Sequence, residues 1–104
     1  MKKYTVDFRN VKYYLEMHDV IRESLDFPDY YGRNWDAFYD CITDMLYEPF
    51  CVEIIGLDHI ERLFGDVAAK MLKVLKDAKY SYDGEFADRL KIVLVNGEHR
   101  VEIK

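Results

Sequence analysis

The chain has no apolar run approaching the ~20 residues that a membrane span requires. Its start, Met1-Lys2-Lys3-Tyr4, leads into an alternating stretch with no apolar core, so no secretory signal is expected and a cytoplasmic location is. Two prolines and five glycines exclude a collagen-like or linker-rich architecture. The two cysteines, Cys41 and Cys51, form no CxxC pair. They are expected as reduced thiols, and zinc and thioredoxin-like chemistry lack their usual signature. His18, His59 and His99 lie far apart and fit neither HxxxH nor HExxH. They read as surface or interface histidines, and no metal site or cofactor is expected. No histidine near Cys41 in sequence supports a thiol nucleophile.

A basic excess is also missing. Lys and Arg total 15 against 20 Asp and Glu, a net charge of −5. That imbalance is local: residues 26–48 hold Asp26, Asp29, Asp36, Asp40, Asp44 and Glu48 against Arg33 alone, while the rest of the chain balances. Such a segment excludes nucleic acid as a direct partner and attracts a basic protein or a cation. Half the residues are hydrophobic and 34% are charged, which excludes disorder, and 104 residues make one domain.

Periodicity supplies the organisation. Residues 3–8 alternate as a strand. Residues 13–25 carry Tyr14, Met17, Val20, Ile21 and Leu25 at helical spacing. Pro28 stops that helix, a structured loop follows, and Asn34 is suited to cap a second helix over Trp35–Tyr47. The apolar stripe of this helix is Trp35, Phe38, Ile42, Met45 and Leu46. Phe50–Ile55 reads as a buried strand. Asp58-His-Ile-Glu61 resembles a capping box opening a short helix to Phe64. Asp66 is placed to cap a helix over 67–80, with Lys70, Lys73, Lys76 and Lys79 on its solvated face. Residues 80–88 read as a loop, and Leu90–Val95 as a strand. Asn96-Gly97 then signals a hairpin returning through 98–103. The order predicts an α/β domain over 1–104: a three-stranded parallel sheet with about four helices packed on it, plus a C-terminal antiparallel hairpin strand in 96–104.

Asp36, Asp40 and Asp44 fall at i, i+4 and i+8 on one helix face. Each like-charge pair costs an isolated helix about 0.2–0.5 kcal/mol, so folding does not ask for them. Tyr30 and Tyr39 flank the same face, as interface anchors do. Read as an acid–base pair, Asp36 and Asp40 want a cleft, and a domain this small shows no evident one. Read as a metal site, the three carboxylates spread over about 12 Å of helix, too far for one ion. A docking surface for a basic protein fits better.

The run Pro28-Asp-Tyr-Tyr-Gly-Arg-Asn-Trp-Asp-Ala-Phe-Tyr-Asp-Cys-Ile-Thr43 resembles the barstar family, intracellular inhibitors of barnase-type ribonucleases. The resemblance extends more weakly over about residues 2–95, and the family fold is a three-stranded parallel sheet with helices. It implies an inhibitor or immunity protein, not an enzyme, that plugs the active site of a basic microbial ribonuclease or ribonuclease toxin domain. Asp40 matches the carboxylate that takes the place of a substrate phosphate. Asp36 matches a second acidic contact, and Tyr30 the tyrosine that packs on the enzyme's catalytic histidine. Tyr39 stands where the family has tryptophan. Gly32, Asn34 and Thr43 match loop and helix-end contacts, and Asp77 a glutamate that pairs with a basic group at the rim. Asp44 replaces glycine beside the site, Met45 replaces tryptophan, and Arg33 and Ser81 replace acids. Residues 96–104 have no counterpart. The alternative is a non-inhibitory module docking another basic protein. The free protein is expected as a monomer, with pairing of two copies through the tail hairpin left open.

Overall fold

The computed structural model describes residues 1–104. Strands β1 (Lys2–Asp7), β2 (Phe50–Ile55) and β3 (Leu90–Asn96) pair in parallel, with Lys2 opposite Phe50 and Phe50 opposite Leu90. β4 (His99–Ile103) adds antiparallel to β3, giving one sheet in the order β1-β2-β3-β4. The helices are α1 (Tyr14–Ser24), α2 (Trp35–Asp44), α3 (Leu57–Phe64) and α4 (Val67–Lys79). The expected fold class therefore holds, tail strand included.

Strand alternation sorts the side chains. Val6, Phe50, Val52, Ile54, Leu90 and Ile92 join Met17 and Ile21 of α1, Phe38 and Ile42 of α2, Ile60 of α3 and Met71 and Leu75 of α4 in a single core cluster. The other sheet face carries Cys51, Glu53 and Val93, which are buried even though they lie outside that cluster. Long polar side chains cover them. Arg100 of β4 reaches across β3 to the Glu53 carboxylate, and Lys3 approaches it at 3.7 Å. These cations hold the Glu53 carboxyl below its ordinary range, Arg100 most strongly.

Several local expectations change. α2 ends at Asp44, not Tyr47, because its last turn tightens: Met45 N–H donates to Ile42 O and Leu46 N–H to Thr43 O. Arg89 takes two carbonyls just past the helix, donating to Leu46 O at 2.9 Å and Tyr47 O at 3.3 Å. α3 starts one residue before the expected cap, with left-handed Gly56 (φ 80°) at the cap position. Asp58 therefore lies inside the first turn, paired with Arg62 at 3.1 Å. Asp66 occupies the α4 cap position, but its side chain makes no capping bond. Lys79 is not on a solvated face. It is buried, and donates to Ala87 O at 2.6 Å and Leu90 O at 2.5 Å, tying the 80–89 segment to the start of β3. That segment folds as two short 3₁₀ turns. The hairpin loop is Gly97-Glu98, one residue on from the expected pair. Only Gly97 has positive φ (62°), the pattern of a type II′ rather than a type I′ turn.

Candidate functional site

The segment from Leu25 to Asn34 is fastened at several points. α1 closes with a left-handed Asp26 (φ 56°), and Phe27 N–H donates back to Arg22 O at 2.9 Å, which completes a Schellman-type C-cap. Phe27 and Tyr31 then both turn into the core, their rings 5.2 Å apart. With its neighbour Tyr31 anchored inside, Tyr30 is left outside, 84% exposed. Tyr31 Oη lies 2.8 Å from His18 Nδ1 on α1. Two ion pairs add to the fastening, Arg22–Asp29 at 3.3 Å and Arg33–Asp19 at 3.0 Å.

His18 is thus no surface residue. It is fully buried, packed 4.7 Å from the Trp35 ring, and its Nε2 has no hydrogen-bond partner. Burial lowers its pKa below the usual 6.5, opposed by Asp19 and reinforced by Arg33. Burial also raises the Tyr31 phenol far above its ordinary value. Both groups are therefore neutral at physiological pH.

Asn34 does what its position predicts. Its side chain accepts from Ala37 N–H at 2.8 Å and donates to Gly32 O at 3.1 Å, which starts α2 and shapes the loop before it. The capped helix presents Asp36, Asp40 and Asp44 as an exposed row. Thr43 Oγ1 donates back to Tyr39 O or Asp40 O, each at 3.0 Å, so its proton is spent within the helix. Tyr39 is half-buried and packs on the core rim.

Tyr30, Asp40 and Asp44 converge on one cleft of about 290 Å³. Its remaining lining is Asp26, Phe27, Pro28, Ala37, Cys41 and Met45, so an apolar floor meets three carboxylates. No cleft was expected from the sequence. Asp26 counted there only as one of the acids, and its left-handed turn is what brings it to the wall. Cys41 sits between carboxylates: burial chiefly, then Asp44 and Asp40, raise its thiol pKa. Its thiol therefore stays protonated at physiological pH. Asp36 lies outside the cleft lining, one turn earlier on the same row. Asp77 is exposed on α4, the helix α2 packs against, and pairs with Lys73 at 2.8 Å.

The field of this face is uncompensated. Arg33, the one base of residues 26–48, is engaged by Asp19, and Arg22 is shared between Asp29 and Glu23. Asp26, Asp36, Asp40, Asp44 and Glu48 enter no ion pair. A larger hollow of about 450 Å³ opens at the carboxyl ends of the parallel strands. Its arginines are already satisfied, Arg9 by Asp7 at 2.8 Å and Arg62 by Asp58 at 3.1 Å, so it offers no comparable field. What the α2 face can do chemically is receive cationic groups: carboxylates over an apolar floor, on a helix already capped and tethered.

Two comparisons with known proteins bear on this face. A family model described as Barstar (barnase inhibitor) matches residues 1–95. A Bacillus subtilis (strain 168) protein named "Putative ribonuclease inhibitor YrdF" is 33% identical over 94 residues, which cover 90% of this chain and 99% of that protein.

Proposed function

Because the chain belongs to the barstar family, we propose that it inhibits a basic microbial ribonuclease, plugging the enzyme's active site with the acidic face of α2. The carrying observation is the row Asp36–Asp40–Asp44, left without ion pairs while every arginine nearby is engaged elsewhere. A ribonuclease site is a cationic pocket built to bind phosphate. A carboxylate held rigidly against it imitates that phosphate and gains charge-assisted hydrogen bonds. Asp40 is the phosphate mimic in this reading. Asp36 and Asp44 extend the contact along the helix, and Tyr30 packs on the enzyme's active-site rim. Gly32, Asn34, Tyr39 and Thr43 shape or flank the contact, and Asp77 meets a basic group at its edge.

The tethers of the 25–34 loop support this reading, since a preordered face loses less freedom on binding. The uncompensated acids also steer a basic partner towards the site, an effect that salt screens. In this role the protein acts in the cytoplasm and turns over no substrate. It protects the cell from a ribonuclease of its own or from a delivered toxin domain.

The test is to add the protein to a panel of basic microbial ribonucleases and ribonuclease toxin domains and follow RNA cleavage. Stoichiometric loss of cleavage with at least one enzyme is expected. Binding without loss of cleavage would instead mark a non-inhibitory docking module.

A further inference from the structure

We propose that β4 is a self-recognition strand: two copies of the chain pair antiparallel through their β4 edges, with Val101 opposite Val101 and Arg100 opposite Glu102 of the second copy. β4 ends the sheet and is paired only with β3. It also lies beyond the 1–95 match to the family.

The register follows from the hairpin. Its two-residue loop, Gly97-Glu98, closes on the pair Asn96–His99, and hydrogen-bonded and non-hydrogen-bonded pairs alternate from there. His99, Val101 and Ile103 therefore spend their backbone groups on β3. Arg100 and Glu102 turn their N–H and C=O groups outward, an open edge of the kind that invites another strand. An antiparallel partner must bond to these two residues. With a second β4 the available registers place 100 opposite 100, 102 opposite 102, or 100 opposite 102. The first sets arginine against arginine and the second glutamate against glutamate. The third sets Arg100 against Glu102 twice, related by a twofold axis at Val101.

The side chains fit that third register. Arg100 and Glu102 share the sheet face that carries Glu53, and Arg100 already donates to Glu53 while Lys91 stands 3.8 Å from Glu102. A guanidinium carries five N–H donors, so Arg100 can bind Glu53 and the facing Glu102 together. On the other face Val101 is 55% exposed, and its twin would cover it with a β-branched neighbour. Charged side chains and prolines blunt an edge against pairing, charges most where like meets like. β4 has no proline, and its outward pair is of opposite sign, hence self-complementary. The product is an isologous dimer in which two four-stranded sheets become one. None of the α2 cleft residues lies on β4, so both acidic faces stay available.

The experiment is sedimentation equilibrium of the full chain over a wide concentration range, beside two variants. Glu102→Arg sets like charges opposite each other without touching the Arg100–Glu53 pair. Arg100→Glu does the same with the other sign. Each variant alone should dimerise roughly tenfold or more weakly than the native chain, since two cross-strand pairs change from attractive to repulsive. An equimolar mixture of the two should recover the dimer, because every pair is again Arg opposite Glu. Thermal melts establish that each variant is folded, and a native-like melt for Glu102→Arg keeps the test valid if Arg100→Glu is destabilised. A native chain that stays monomeric to its solubility limit overturns the proposal, and so does a dimer that neither substitution weakens.

Discussion

His18 Nδ1 and Tyr31 Oη lie 2.8 Å apart in a fully buried contact that joins α1 to the loop from which Tyr30 projects. The pair fastens a core-facing tyrosine so that its neighbour must face outward, and it leaves a buried imidazole without a second partner. Stability and the binding face are therefore linked through one histidine.

That link sets a pH dependence. The folded protein holds His18 neutral, with its pKa below 6.5, whereas the unfolded chain takes up a proton near 6.5. Because the unfolded state binds more protons in this window, its stabilising share is complete above about pH 6.5 and falls as pH drops towards the lower folded pKa. The slope contributed by this group is at most about 1.4 kcal/mol per pH unit. Urea midpoints measured from pH 8 to 5 should decline below 6.5, and His18→Phe should flatten the decline between pH 7 and 5.

Removing the α2 cap has a cost of its own. Asn34→Ala deletes the acceptor for Ala37 N–H and the donor to Gly32 O, and should lower stability by about 1 kcal/mol. Denaturant unfolding reads this directly. Nuclease affinity should fall less than on loss of Asp40, since Asn34 positions the helix rather than meeting the partner's charge.

Asp26 separates binding from folding. Its left-handed φ of 56° at the end of α1 suits glycine better, so Asp26→Gly should hold or raise the melting temperature, by about 0.5–1 kcal/mol of stability at most. The same change strips one carboxylate from the cleft wall, so affinity for a basic ribonuclease should drop. Thermal melts paired with inhibition constants show whether the two move in opposite directions.

Lys79 tests the fold away from the site. Lys79→Met keeps most of the stem but leaves Ala87 O and Leu90 O without their donor. Unfolding should then become easier by about 1–3 kcal/mol, with inhibition per folded molecule unchanged.

Much of this molecule could be read from local pattern. The strands, the start of α2 at Asn34 and the exposed Asp36–Asp40–Asp44 row depend on period and on a cap within a few residues. What escaped depends on partners far along the chain. α2 stops at Asp44 in a tightened last turn, and the carbonyls just beyond it are taken by Arg89, more than forty residues away. His18 passes for a surface residue until Tyr31 and Trp35 fold over it. Lys79 continues a lysine row in sequence, but the 80–89 segment wraps its amine in carbonyls. The acids of the cleft were all visible as charges. Their convergence was not, because Asp26 reaches the wall only through its left-handed turn.

The central claim is that Asp40 stands in for a substrate phosphate in a basic ribonuclease, and titrating RNA cleavage with the native chain and with Asp40→Ala, at low and high salt, tests it most directly. The native chain should inhibit stoichiometrically, more tightly at low salt. Asp40→Ala should lose at least about tenfold in affinity, roughly 1.4 kcal/mol, while unfolding at the same or a slightly higher denaturant concentration, since two like-charge pairs are relieved. An Asp40→Ala protein that is folded and inhibits within tenfold of the native chain would contradict the assignment.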